Sequence, residues 1–174
     1  MKLEFKRDQL LEPLLKVTSV VERRQTLPIL SNVLIALADG TVTFTATDLE
    51  VEVSTSVEFK SSAKGTITLP ARKLLEICRA LPPEAGIKID VGEKQTTVRS
   101  GRSRFSLTSM DSVDFPSIGV FDAGLEHNTI AGTLKHLISK TQFAMAHQDV
   151  RYYLNGLLLE FTPNCIRTVA TDGH

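Results

Sequence analysis

The chain repeats a stretch of its own sequence, and this repeat limits the folds that it can adopt. Within the stretch 151–174, residues 153–174 align with residues 30–50 when one extra residue is allowed in a turn. Each copy reads as an apolar strand, a turn, a second apolar strand and the tripeptide Ala-Thr-Asp. The aligned positions include Asn32 and Asn155, Leu34 and Leu157, and the tripeptides at 46–48 and 170–172. Self-similarity at this spacing indicates two copies of one domain, and we expect the sequence to end inside the second copy.

A second repeat lies inside the first domain. Residues 2–6 and 66–69 both alternate polar and apolar side chains, as half-buried strands do. An amphipathic helix is predicted after each, and a shift of 64 residues places Leu-Leu-Glu at 10–12 on the same tripeptide at 74–76. The predicted fold class is therefore α+β, built from duplicated strand-helix-three-strand modules with the helices on one face of antiparallel sheets.

Periodicity and turn residues predict the remaining elements. The first helix is expected to begin at an Asp8 cap and to be bent or weakened by Pro13, and the second to span 71–81. The third is expected to run from a Thr133 cap to about Ala146. The predicted strands are 2–6, 29–37, 41–46, 50–59, 66–69, 86–91, 96–100, 105–110, one ending at 129–130, and a closing pair after 156.

Residues 111–128 are rich in Ser, Asp, Gly and Pro and lack periodicity, which is typical of a linker between domains. The predicted organisation is a first domain at 1–118, a linker at 119–127, and the first half of a truncated second domain at 128–174.

Composition excludes several classes of protein. Hydrophobic residues make up 42% of the chain and charged residues 23%, which is ordinary for a globular protein. No apolar run is long enough to span a bilayer and the N-terminus is charged, so we expect a cytoplasmic protein with no membrane partner. The lone cysteines Cys78 and Cys165 argue against a disulfide framework or a thiolate metal site. We expect no metal and no cofactor.

The formal net charge is zero, so a basic surface would require charges sorted onto one side of the molecule. Positive side chains do lie on or beside the three predicted helices: Arg7, Lys16, Arg23, Arg24, Arg72, Lys73, Arg79, Lys135 and Lys140. They are either ordinary solvated helix faces or a surface that binds the phosphate backbone weakly and without sequence preference.

Several longer strings make the chain resemble a known family. They are TLPIL at 26–30, TDLE at 47–50, LPARK at 69–73, ICR at 77–79, RSGRSRFSL at 99–107, DFP at 114–116, TQF at 141–143, AHQDVRYYLNG at 146–156 and TVATDGH at 168–174. These strings resemble the bacterial sliding clamps, the beta subunits of DNA polymerase III. The resemblance runs from the first predicted strand to the last residue, and it matches an N-terminal portion of a clamp.

The resemblance implies a fold and a function. Clamps of this family have three such domains per chain, and two chains close head to tail into a homodimeric ring whose helices surround duplex DNA. The ring slides without sequence specificity and tethers its partners to DNA as a processivity factor. Those partners are the DNA polymerase III alpha subunit, the clamp loader delta subunit and other proteins with a clamp-binding motif. Without a third domain, this chain is not expected to close the ring.

The resemblance also implies site residues. DNA contacts are expected at Arg24, Arg72, Gln148, Tyr152 and Tyr153. A pocket for partner peptides is expected at Leu154, Thr171, Gly173 and His174. A subunit interface is expected at Lys73, Arg102, Arg104 and Phe105.

Some alternatives remain open at this stage. One tyrosine of the 152–153 pair could pack under its loop, and Phe105 could be a core residue of its strand. An enzyme could use the repeated Asp48 and Asp172, yet the sequence contains no Gly-x-Ser-x-Gly elbow, phosphate loop or metal-ligand spacing. A repeated Asp is expected to cap a turn rather than to act as a catalytic residue. A scaffold that binds no nucleic acid is the remaining alternative.

Overall fold

The chain forms two compact units, Met1–Gly119 and Val120–His174. The computed structural model describes residues 2–21, 27–60, 64–92, 95–117 and 126–174. Most of the predicted linker at 119–127 lies outside these ranges, as do Arg23 and Arg24. Within the described ranges no helix is long and apolar enough to cross a membrane.

In the part of the first unit that the structure describes, there are two four-stranded antiparallel sheets and two α-helices. The elements in order are β1 (Lys2–Lys6), α1 (Arg7–Val17), β2 (Asn32–Ala38), β3 (Thr41–Thr47), β4 (Glu52–Glu58), β5 (Gly65–Pro70), α2 (Ala71–Ala80), β6 (Gly86–Val91), β7 (Gln95–Ser100) and β8 (Ser103–Thr108). Short 3-10 helices occupy Thr18–Val20, Pro28–Ser31 and Ser112–Asp114. The strand orders are β4-β3-β2-β5 and β1-β6-β7-β8. The predicted α+β class is confirmed.

The two modules of this unit exchange their first strands. β1 precedes α1 but pairs with β6, and Phe5 lies opposite Ile87. β5 precedes α2 but pairs with β2, and Leu69 lies opposite Val33. Each sheet is therefore completed by a strand of the other module, which periodicity alone does not predict.

One hydrophobic core joins both sheets and both helices. The helices α1 and α2 pack against each other, and the apolar stripe of each is buried against the sheets, as Leu10, Leu14 and Leu74 show. Burial in this core raises the pKa of the Cys78 thiol to about 12, and the nearby Arg7 guanidinium offsets only part of that effect. Arg7 also donates from Nε to the Cys78 carbonyl oxygen at 2.9 Å, which ties the start of α1 to α2.

Local details of the first unit differ from the predictions. The N-cap of α1 is Lys6 rather than Asp8, and the helix runs through Pro13, which is buried. β2 begins at Asn32 rather than at residue 29, because Pro28 starts a 3-10 turn there. Prolines favour the first turn of a helix because their missing N–H is not needed at that position.

Residues 126–174, which are the described part of the second unit, form one α-helix and a hairpin. α3 spans Ala131–Thr141, and β9 (Leu158–Thr162) pairs antiparallel with β10 (Cys165–Val169). The 3-10 helices Gln142–Ala144 and Tyr152–Asn155 lie between α3 and β9. Thr168 of β10 donates from Oγ1 to the Leu137 carbonyl oxygen at 3.2 Å, so α3 lies on the hairpin.

Three predictions for this unit were wrong. The N-cap of α3 is Ile130 rather than Thr133, because the Thr133 N–H already bonds the Ile130 carbonyl inside the first turn. The helix ends at Thr141 rather than near Ala146, because the chain tightens into a 3-10 turn at Gln142–Ala144. Residues 129–130 are not in a strand.

Both copies of the long repeat end in the same turn. The Leu49 N–H donates to Thr47 Oγ1 at 3.0 Å and the Glu50 N–H donates to Asp48 Oδ1 at 2.9 Å. Equivalent bonds of 3.0 and 3.0 Å occur at 171–174. The third residue of the turn has a positive φ in both copies, 80° and 90°. These bonds confirm that the repeated aspartate caps a turn.

Candidate functional site

Arg72 lies in the first turn of α2, with its side chain tied to the segment that follows α1. Its Nη2 donates to the carbonyl oxygen of Val21. Lys73 beside it is exposed, and its Nζ lies 3.1 Å from Glu76 Oε2. Arg24, the other predicted DNA contact in this unit, is outside the described residues. The Val21 bond fixes the direction of the Arg72 guanidinium while leaving the residue exposed to solvent.

The predicted contacts of the second unit lie on a loop shaped by its own hydrogen bonds. Asn155 Oδ1 accepts from the Asp149 N–H at 2.9 Å, and Asn155 Nδ2 donates to the Asp149 carbonyl oxygen at 3.0 Å. The Ala146 N–H donates to the Leu154 carbonyl oxygen at 3.0 Å, and the Leu154 side chain is buried. Because one amide side chain bonds both backbone groups of Asp149, the loop has a defined conformation.

Both tyrosines of the loop are exposed. Tyr152 is 83% exposed and Tyr153 is 68% exposed, and their ring centroids are 6.1 Å apart at an interplanar angle of 78°. The alternative that one of them packs under the loop is therefore wrong. Gln148, also exposed, has a positive φ of 57°. Exposed aromatic faces can stack on unpaired bases, and polar tips can contact the sugar-phosphate edge.

An ion pair links this loop to the end of the repeat. Arg151 donates from Nε to Asp149 Oδ1 at 3.1 Å and from Nη2 to Asp149 Oδ2 at 2.9 Å. Its Nη2 also donates to the Asp172 carbonyl oxygen at 3.2 Å. The loop that carries Leu154 is thus joined to the turn that carries the other predicted pocket residues, Thr171, Gly173 and His174, all of which are exposed.

The Arg151 side chain lowers the pKa of the Asp149 carboxyl from 3.8 to about 2, chiefly through their hydrogen bonds. A lowered pKa means that the folded loop favours the ionised carboxylate, so the pair stabilises the loop above pH 3.8. This contribution is lost as the pH falls through about 2.

We expect an NMR titration of the Asp149 carboxyl to give a midpoint near 2. In Arg151→Gln the midpoint should rise toward the ordinary value of 3.8, because the charged donor is gone. An unchanged midpoint in this variant would contradict the assignment of the shift to Arg151.

Sequence reasoning assigned no role to Asp149, Arg151 or Asn155. The repeat did single out Asn155, since it aligns with Asn32, and both side chains prove to bond elsewhere in their own unit. No sequence signal identifies the Arg151 contact with Asp172, because its acceptor is a backbone carbonyl.

Three of the four predicted interface residues, Arg102, Arg104 and Phe105, lie on or just before β8, at the edge of its sheet, whereas Lys73 lies on α2. Arg102 and Arg104 are exposed. Phe105 is half-buried and packs against the core, so it is neither a fully exposed interface anchor nor a fully buried core residue. An edge strand presents unpaired backbone groups that another strand can bond.

Within the described ranges, no group of three or more His, Cys, Asp or Glu side chains could hold a metal ion.

Comparisons with known proteins find related sequences and structures. Residues 1–119 match the family described as DNA polymerase III beta subunit, N-terminal domain, and residues 129–174 match its central domain. The beta sliding clamp of Pseudomonas putida is 49% identical over 175 residues, which is 100% of this chain and 48% of that protein. The chain spans about half the length of the curated relatives that it matches.

Solved structures are similar as well. The crystal structure of the DNA polymerase III subunit beta from Pseudomonas aeruginosa matches with a TM-score of 0.94 at 47% identity, over 100% of this chain and 48% of that one. A sliding clamp from the same species bound to griselimycin matches with a TM-score of 0.92 at 47% identity, over 100% of this chain and 47% of that one.

Proposed function

The chain belongs to the DNA polymerase III beta subunit family, and from this we propose that it is the N-terminal portion of a sliding clamp. In full-length form the protein would be a processivity factor, a head-to-tail homodimeric ring that encircles duplex DNA and tethers the replicative polymerase. The observation that carries the proposal is the continuous match of both parts of the chain to the N-terminal and central domains of that family. We assign the domains to 1–118 and 128–174, joined by a linker at 119–127.

DNA binding by such a ring depends on weak contacts with the phosphate backbone. We assign these contacts to Arg24, Arg72, Gln148, Tyr152 and Tyr153. The exposure of both tyrosines and the fixed direction of Arg72 support this assignment. Contacts without base readout allow the ring to slide, because they are similar at every position along the duplex.

Partner proteins would bind through short peptides in a pocket that includes Leu154, Thr171, Gly173 and His174. The partners implied by the family are the DNA polymerase III alpha subunit, the clamp loader delta subunit and other proteins with a clamp-binding motif. The subunit interface would include Lys73, Arg102, Arg104 and Phe105, and the edge position of β8 supports it. We propose no catalysis, no cofactor and a cytoplasmic location.

Encirclement is tested with a chimera in which this chain replaces the matching half of the Pseudomonas putida clamp. The chimera is loaded onto nicked circular DNA with that organism's clamp loader and then passed over a sizing column. We expect it to stay with circular DNA and to be lost when the DNA is linearised, because a ring slides off free ends. Equal retention on both forms would contradict encirclement, and no retention on either would contradict the clamp function.

Removing one positive charge from α2 should weaken DNA binding by the same chimera. We expect Arg72→Gln to reduce the affinity for duplex DNA about tenfold. The slope of log affinity against log salt concentration should become shallower by about one, which corresponds to the loss of one phosphate contact. The matched control is Lys88→Gln, which removes the same charge from β6, where Lys88 pairs with Glu4 at 2.8 Å. Equal losses in the two variants would show that only net charge matters, against a specific role for Arg72.

A further inference from the structure

Arg151 contacts both segments of the second unit that carry predicted binding residues. Its guanidinium bonds both carboxylate oxygens of Asp149 in the loop and the carbonyl oxygen of Asp172 in the final turn. The Asp149 carboxylate also accepts the Arg151 backbone N–H at 2.8 Å. An arginine can make these contacts together because its donors are held in one plane.

The final turn leaves room for this guanidinium. A Cβ on Gly173 would lie 2.9 Å from Arg151 Nη1 and 3.4 Å from Nη2. The positive φ does not by itself require glycine here, because Leu49 occupies the equivalent position in the first copy at φ 80°. When the alignment is continued two residues before the first copy, Pro28 falls at the position of Arg151, so no guanidinium comes from the equivalent position. The difference between Leu49 and Gly173 is explained by the approach of Arg151.

We propose that Arg151 is a positioning residue whose guanidinium latches the turn at 171–174 to the loop at 148–155. The predicted pocket residues of that turn and the predicted DNA contacts Gln148, Tyr152 and Tyr153 then move as one body. This functional reading rests on the proposed clamp function, whereas the latch itself does not. With the latch closed, a contact on the loop changes the environment of the turn, and binding at either segment affects the other.

The latch is tested by NMR on the isotope-labelled 174-residue chain, with Arg151→Lys as the informative variant. A lysine keeps the charge beside Asp149, but its three donors share one nitrogen and lack the planar fork with which Arg151 spans the Asp149 carboxylate and the Asp172 carbonyl. We expect the Gly173 amide to exchange with solvent about tenfold faster while the Asp149 amide, bonded by Asn155, is unchanged. The matched control is Arg167→Gln, which breaks the exposed pair with Glu160 in the hairpin.

Adding a short DNA duplex supplies the second readout. In the wild type, we expect shifts at the loop amides and at Gly173, and in Arg151→Lys shifts at the loop alone. Wild-type exchange at Gly173 in the lysine variant, or the same increase in the Arg167 control, would overturn the latch. A duplex that shifts no amide would contradict the proposed DNA contact, and the exchange measurement would still decide the latch.

Discussion

Phe44→Ala should lower the free energy of unfolding of the first unit by about 3–5 kcal/mol. Phe44 lies on β3 and is fully buried, opposite Ile35 of β2 and Thr55 of β4. Its removal loses buried apolar surface and leaves a cavity that close-packed neighbours only partly fill. Chemical denaturation of the chain measures the change. The control is Val113→Ala, at a side chain that is 88% exposed, where the expected change is within about 0.5 kcal/mol.

The positions at which Phe44→Ala loses amide protection show whether the two modules unfold together or separately. Phe44 lies in the sheet β4-β3-β2-β5, yet β5 precedes α2, and β1 of the first module completes the other sheet. We therefore expect amide protection to fall together in both sheets of Phe44→Ala. Amides of β6, β7 and β8 that kept their wild-type protection while β2 and β3 opened would show that the modules unfold separately.

Local features of this fold could be predicted from the sequence because adjacent residues determine them. The turn between the predicted strands 29–37 and 41–46 places Asp39 at φ 48° and Gly40 at φ 76°, a conformation that suits a two-residue hairpin. The stripe of α2 predicted a helix at 71–81, and the structure has Ala71–Ala80. The repeated Ala-Thr-Asp predicted an aspartate cap, and both copies form it.

Long-range features could not be predicted in the same way. The alternating pattern of β1 shows which side chains are buried but not which strand lies beside it, so the exchange with β5 was missed. The latch was missed for a related reason. Arg151 meets Asp172 through a backbone carbonyl, and every residue carries such an acceptor.

In the candidate site, too, some features could be predicted from the sequence and others depend on long-range contacts. Tyr152 and Tyr153 came from the family resemblance, and their exposure depends on the way Asn155 and Leu154 hold the loop. Phe105 was expected to be either an anchor or a core residue, and it is half-buried because β8 lies at a sheet edge above the core. Alternation indicates a face of a strand, whereas burial also depends on whether a neighbouring strand covers it.

Thr68→Val should lower the free energy of unfolding of the first unit by about 2–3 kcal/mol. The Thr68 hydroxyl is buried, donates to the Met110 carbonyl oxygen at 2.7 Å, and accepts from Asn32 Nδ2 at 3.1 Å and the Met110 N–H at 3.2 Å. One donor and two acceptor sites are the whole capacity of a hydroxyl. Valine matches threonine in shape but leaves the buried Asn32 amide without this acceptor, so the cost is one of unsatisfied polar groups.

Thr66→Val is the matched control, because it removes a hydroxyl two residues away on the same strand. Thr66 Oγ1 lies 2.7 Å from Ser112 Oγ at an exposed position, where water can replace the lost partner. We expect a change within about 0.5 kcal/mol there. Denaturation curves for the two variants distinguish two causes of the loss of stability. Equal decreases in the free energy of unfolding would mean that the bridge from β5 to the segment after β8 matters rather than the burial of Asn32. A double variant with Asn32→Leu should recover part of the Thr68→Val loss, because both partners are then apolar.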